Sequence, residues 1–81
     1  MGTMYFEQID PQRNRARFYR LDIRWTLFDE LVVVKSWGRM GGRGRQREWP
    51  VRDGAAAVAL LAAEARKRQR RGYRCVYQSI P

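Results

Sequence analysis

The sequence contains no histidine, and only one of its 81 residues is cysteine. The first absence excludes imidazole as a general base, a proton shuttle or a metal ligand. The second excludes an internal disulfide and a cysteine-based zinc site, and it suits a reducing compartment. No apolar run approaches the ~20 residues that a helix needs to cross a bilayer. The opening Met1-Gly2-Thr3-Met4-Tyr5-Phe6 lacks the basic-then-apolar layout of a signal peptide. It also lacks the Ser/Thr at position 6 that a myristoylation signal wants. A cytoplasmic protein with no membrane partner is expected. Acidic residues are few and scattered, Asp29-Glu30 being the one adjacent pair, which reads most simply as a hairpin connection. Neither an enzyme nor a cofactor or metal requirement is expected.

Positive charge fills the space these absences leave. Seventeen Lys+Arg stand against eight Asp+Glu, for a formal net charge of +9. Fifteen of the cations are arginine, whose planar fork pairs bidentately with phosphate and stacks on flat rings. A hydrophobic content of 44% is too high for a disordered basic tail. The whole chain, residues 1–81, reads as one domain, and at this length it buries only about 60–65% of its unfolded surface. It should fold around a modest core and attract polyanions.

Hydrophobic periodicity orders the chain. Residues 3–9 are β-prone and closed by Asp10-Pro11, and a polar loop follows over 12–15. From Arg17 the pattern alternates, with Tyr19, Leu21, Ile23 and Trp25 on one face and Arg20, Asp22 and Arg24 on the other. Leu31 to Trp37 is β-branched and apolar, a central strand in a hairpin with its predecessor. Gly38 to Gly44 bends the chain, and Arg45 to Val51 returns as a strand with Pro50 at its end or on an edge. Asp53 is placed to cap a helix over Ala55–Arg71, with Ala57, Val58, Leu61, Ala62 and Ala65 as its buried face. Gly72 suits the residue after the helix end, and Tyr73 to Ile80 forms the last strand with Tyr73, Cys75 and Tyr77 on one side. The expected fold class is α+β: an antiparallel β-sheet of about five strands with a single helix on one face, before the last strand. Trp25 and Trp49 are expected in the core, and Cys75 reads as a small buried apolar side chain rather than a reactive thiol.

Three basic clusters stand out: Arg13 to Arg24, Lys35 to Arg47 around the glycine turn, and Arg66 to Arg74 at the helix end. Each also has a plain reading, as surface charge on a strand, a soluble hairpin turn, or a solvated helix C-terminus that complements the macrodipole. A glycine-rich turn lets backbone N–H groups approach an oxyanion while neighbouring arginines add the fork. Trp37 closes an apolar strand and is followed at once by Gly38-Arg39. It can be a core residue or a ring laid on a sugar or base.

At Ser36-Trp37-Gly38-Arg39-Met40-Gly41 the sequence resembles the WGR family, named for its Trp-Gly-Arg tripeptide. The likeness extends to Asn14-Arg15-Ala16-Arg17-Phe18-Tyr19-Arg20-Leu21, to Val33-Val34-Lys35-Ser36, to Gly44-Arg45-Gln46, to the helix start over Asp53–Leu61, and to Lys67-Arg68-Gln69-Arg70-Arg71-Gly72-Tyr73. It covers about residues 3–77 in order and spacing. The resemblance implies a five-stranded antiparallel sheet with one helix before the last strand. It also implies binding of DNA ends and breaks, as this module does in poly(ADP-ribose) polymerases. By that likeness Trp37 packs on the sugar of a terminal nucleotide. Lys35, Arg43, Arg45, Asn14 and Tyr73 become candidate backbone contacts, with Arg15 and Arg71 beside them in the basic clusters. Arg39 stands at the position of the motif arginine, which in the polymerases largely bridges to other domains; here it either contacts phosphate or packs locally. No ADP-ribosylating domain or zinc finger is in the sequence, so the resemblance carries binding and not polymerase activity. The expected function is therefore a non-catalytic nucleic-acid-binding module, with DNA favoured over RNA. The alternatives are a module docking an acidic protein partner and a binder of single-stranded RNA or DNA.

Overall fold

Alternation in the first two strands and a continuous β-branched run in the third begin a set of four strands before the helix, with one more after it. In the computed structural model, which describes residues 2–79, these are β1 (Gly2–Asp10), β2 (Arg15–Trp25), β3 (Leu31–Arg39), β4 (Arg45–Pro50), α1 (Gly54–Arg70) and β5 (Arg74–Ser79). All four pairings are antiparallel, in the order β4-β3-β2-β1-β5. Helix α1 carries the chain across one face, from the β4 edge to the β5 edge. The expected α+β fold, a five-stranded antiparallel sheet with one helix before the last strand, is what the chain adopts. No helix among the described residues is long and apolar enough to cross a membrane. The expected strand end at Ile80 lies outside the described residues.

The core lies between helix and sheet. Met4 and Phe6 of β1, Tyr19, Leu21 and Ile23 of β2, and Leu31 and Val33 of β3 meet Ala57, Leu61 and Ala65 of α1. Phe6, Leu21, Val33 and Leu61 are fully buried. Asp53 caps the helix as expected, its carboxylate accepting from the Ala56 N–H at 2.8 Å. At the other end Gly72 takes a φ of +88°. The Gly72 N–H then bonds the Gln69 carbonyl at 3.0 Å and the Tyr73 N–H bonds the Arg68 carbonyl at 3.0 Å. This double closure ends the helix and directs Tyr73 back toward the sheet.

Several local expectations are corrected. Strand β2 begins at Arg15, two residues early, because a 3-10 turn over Pro11–Arg13 consumes most of the expected loop. The helix is rolled so that Ala57, Leu61, Glu64 and Ala65 are buried, while Val58 and Ala62 face solvent. Trp25 is 56% exposed because it is the last residue of β2, at the sheet's end. Trp49 is only half-buried, covered by Lys35 and Arg47, whose charges sit 4.1 and 5.0 Å from its ring centroid. Finally, β5 starts at Arg74, and the register against β1 shifts between Tyr5 and Phe6, where Cys75 pairs with Phe6 and Tyr77 with Tyr5. Val76 is the extra residue, so Tyr77 turns to the helix-free face while Cys75 stays on the helix side.

Candidate nucleic-acid interface

Strand register decides what surrounds Trp37. Tyr19, Trp37 and Arg45 lie abreast on β2, β3 and β4, and one step along the same face Arg17 is paired with Arg39. The Trp37 ring stacks on Tyr19 with centroids 6.2 Å apart and planes at 24°. Tyr73, delivered by the helix cap, meets Tyr19 edge-on at 6.1 Å. Arg17, Trp37, Gly38, Arg39 and Tyr73 together line a cavity of about 350 Å³ open to solvent. The Trp-Gly-Arg tripeptide therefore forms one wall of a cleft whose other walls come from β2 and the segment after the helix.

Arginines 17 and 39 face each other across neighbouring strands, an arrangement that disfavours itself unless an anion lies between. Arg39 is held there by Asn14, which occupies the left-handed region at φ +52° and ends the 3-10 turn. The Arg39 guanidinium donates to the Asn14 carbonyl at 3.2 Å and to its side-chain oxygen at 3.4 Å. Local packing and cleft lining thus coincide in this one residue.

The glycine turn owes its path to a close approach. Gly44, at φ +71°, has no room for a side chain: a Cβ would lie 2.6 Å from the Trp37 carbonyl oxygen and 2.9 Å from the Phe18 ring. The turn is therefore pressed against the backbone of the tryptophan itself. Arg43 projects from it exposed, and Arg45 opens β4 directly beside Trp37.

Beneath the cleft lies a network that sequence patterning does not reveal. Glu64 of α1 is buried, and its Oε1 accepts from the Tyr19 hydroxyl at 3.0 Å and from the Lys35 ammonium. Burial alone would raise the Glu64 carboxyl, but hydrogen bonds from Lys35 and Tyr19 and the charges of Lys35 and Arg68 bring it below its ordinary value. Tyr19 is pushed up to about 12, first by burial and then by the neighbouring carboxylate. Arg68 completes the group, its guanidinium 4.3 Å from the Tyr19 ring centroid and 5.6 Å from that of Tyr73.

The structure therefore sorts the expected site residues. Trp37, Arg39 and Tyr73 share the cleft, Asn14 supports it, and Arg45 and Arg43 flank it. Lys35 does not point to solvent: its ammonium is committed to Glu64 and the Trp49 ring, and its side chain is 15% exposed. Arg15 and Arg71 do not line the cleft, Arg71 closing the helix and offering its carbonyl to Gln8 at 2.9 Å. Arg20 and Arg24 lie on the helix-free face, bound to buried Asp22 at 2.9 and 3.3 Å. Arg17 was missed, although period-two alternation already placed it on the face of Tyr19. Arg68 was missed too, although it follows Leu61 and Glu64 at helical spacing.

This fold and cleft are those of a small binding module. The chain matches the WGR domain over residues 2–79, and it belongs to that family, one of nucleic-acid-binding modules. It is 35% identical over 71 residues to the uncharacterized protein y4dW of Sinorhizobium fredii (strain NBRC 101917 / NGR234). That alignment covers 88% of this chain and 35% of the relative, so the chain spans about a third of the relative's length. No solved structure matches significantly.

Proposed function

We propose that this protein is a non-catalytic module recognising DNA ends or strand breaks, acting in the cytoplasm. The observation that carries the reading is the cleft in which a half-buried Trp37 ring is flanked by two facing arginines, Arg17 and Arg39, and by Tyr73. Trp37 lays its ring on the sugar of a terminal nucleotide, which an intact duplex does not offer. Arg17 and Arg39 straddle the adjoining phosphate, and Arg43 and Arg45 follow the backbone along the glycine turn. Tyr73 closes the far wall, Asn14 fixes the Arg39 fork, and Arg15 and Arg71 add longer-range attraction. Lys35 acts from beneath, holding Glu64 and through it Tyr19, on which Trp37 rests. Affinity comes mainly from phosphate neutralisation, and end preference from the ring contact.

The test is a titration of short nicked, blunt or 5′-phosphorylated duplexes against an uninterrupted circle, at several ionic strengths. Neutralising about four to six phosphates gives a slope of log K against log salt near −4 to −5 on duplex DNA. Trp37→Ala weakens end binding more than circle binding. A slope near zero, equal affinity for circles and ends, or stronger competition by single-stranded RNA overturns the DNA-end reading.

A further inference from the structure

The opposite end of the β2–β3 hairpin is unlike the rest of the surface. Its turn, residues 26–30, presents Leu27 at 101% and Phe28 at 85% exposure, beside Trp25 at 56%. Two bare hydrophobic side chains on one turn are unusual, since exposed apolar residues normally occur singly. The turn is also stiff. The Thr26 hydroxyl oxygen accepts from the Phe28 and Glu30 N–H groups at 3.2 Å each, and the Thr26 N–H bonds the Glu30 carbonyl at 2.8 Å. Asp29 sits in the left-handed region at φ +62°. The backbone that carries Phe28 is thus preorganised, and docking orders only its side chain.

Charge indicates what the tip fits. Asp29, Glu30 and Glu48 stand at this end, while its cations Arg24 and Arg52 are each paired with a carboxylate, Asp22 and Asp53, which leaves an acidic patch on a chain of net charge +9. Eight residue steps separate the Trp25–Leu31 pair at its base from the Arg17–Arg39 pair, about 27 Å at roughly 3.4 Å per residue. The molecule is polarised along its hairpin. Contact between two tips, or between two basic ends, opposes like charges, whereas tip against basic end pairs carboxylates with arginines. The cleft at that basic end is a 350 Å³ cavity walled by Trp37 and Tyr73 and rimmed by Arg17 and Arg39. An aromatic ring flanked by two carboxylates presents to it the same chemistry as a nucleotide flanked by phosphates.

We propose that the Thr26–Glu30 turn of one copy docks in the Trp37 cleft of a second copy, so that head-to-tail self-association competes with nucleic acid. Phe28 enters between Trp37 and Tyr73, and Asp29 and Glu30 meet Arg17 and Arg39. The contact is heterologous and leaves a free tip and a free cleft at the two ends, so chains can lengthen. Its small area makes it weak and concentration-dependent. The competition, though not the association, rests on the reading of the cleft as the nucleic-acid site.

Sedimentation of the whole protein over roughly a hundred-fold concentration range centred near 100 μM reads the association. The average mass rises with concentration for the parent chain and stays monomeric for Phe28→Ala, an exposed substitution, and for Arg17→Glu. An equimolar mixture of the two variants regains one intact contact, cleft of the first with tip of the second, and gives dimers but no longer species. A short phosphorylated duplex returns the parent chain to monomers each carrying DNA, and Phe28→Ala binds that duplex with unchanged affinity at low concentration. A parent chain monomeric throughout, association that survives Phe28→Ala, or a mixture that fails to complement overturns the proposal. Complementation without displacement by the duplex keeps the docking, overturns the competition, and moves the nucleic-acid site elsewhere.

Discussion

The Tyr19 hydroxyl donates to Glu64 Oε1 at 3.0 Å, across the boundary between sheet and helix. The same oxygen takes the Lys35 ammonium, so a strand cation, a strand phenol and a helix carboxylate converge on one buried point. Directly above it, Tyr19 supports the Trp37 ring. The arrangement couples the stability of the helix–sheet junction to the platform of the cleft. Removing the carboxylate leaves Lys35 15% exposed without a counter-charge and Tyr19 without its acceptor. Glu64→Ala is expected to lower unfolding free energy by about 3 kcal/mol, because a nearly buried cation is left unpaired. Glu64→Gln keeps an acceptor for Tyr19 and is expected to lose about half as much. Urea denaturation of the two variants checks the order.

The same junction sets the pH limits of stability. Glu64 in the folded protein lies below its ordinary 4.5, so the unfolded chain takes up the proton first as pH falls. Its contribution is complete above about pH 5 and is lost as pH drops through the folded value. Tyr19 has the opposite sign: at about 12 against an ordinary 10.0, the unfolded chain ionises first as pH rises. Its contribution is intact below pH 10 and disappears between 10 and about 12. Glu64→Gln should flatten the acid limb of a stability–pH curve and Tyr19→Phe the alkaline limb. Tyr5, also raised by burial, leaves a residual alkaline dependence. An unchanged acid limb in Glu64→Gln would remove this carboxylate from the account.

Most of the architecture was legible in the chain, and the residues that were not share a physical reason. Alternation gave the faces of β2, a β-branched apolar run marked β3, and Asp53 and Gly72 marked the helix, because these signals act within a few residues. Trp25 keeps the correct face but lies at the sheet's end, and period-two patterning says nothing about where a sheet stops. The Val76 bulge inverted Tyr77 because a single extra residue reverses every side chain after it. Lys35 looked like a free cation beside the tripeptide. Its partner Glu64 lies 29 positions later, and only the roll of α1 brings the two together. Arg17, in contrast, could have been found by extending the Tyr19 face one more step.

Gly44 offers a separate test of the turn. Its positive φ of +71° already strains any L-residue, and a Cβ there collides with the Trp37 carbonyl and the Phe18 ring. Gly44→Ala is expected to cost about 2 kcal/mol or more, since the backbone oxygen of Trp37, in the strand paired with β4, cannot move without disturbing the β3–β4 pairing. Because the displaced oxygen belongs to Trp37, end binding should also weaken. Gly41→Ala is the control: it has a positive φ of +84° but nothing within 4 Å of its Cβ, so it should show backbone strain alone. Equal effects on nucleic-acid affinity from the two substitutions would detach Gly44 from the cleft.

Arg17 and Lys35 separate the two roles that a cation can have here. Arg17 is exposed, lines the cleft, and faces Arg39 across the strand pair. Its removal relieves a like-charge pairing, so Arg17→Ala should leave the protein at least as stable while weakening nucleic-acid binding. The salt slope should fall by about 1, the signature of one fewer phosphate neutralised. Lys35 is spent on Glu64 and the Trp49 ring. Lys35→Ala strands the Glu64 carboxylate, so it should destabilise clearly by denaturant titration. Its salt slope should stay near that of the parent, because the ammonium neutralises Glu64 and not a phosphate. Measuring stability and salt dependence on both variants yields a crossed pattern. If Lys35→Ala instead lowers the slope at unchanged stability, the ammonium leaves Glu64 to meet the phosphate, and the cleft extends further along β3 than its resting form shows.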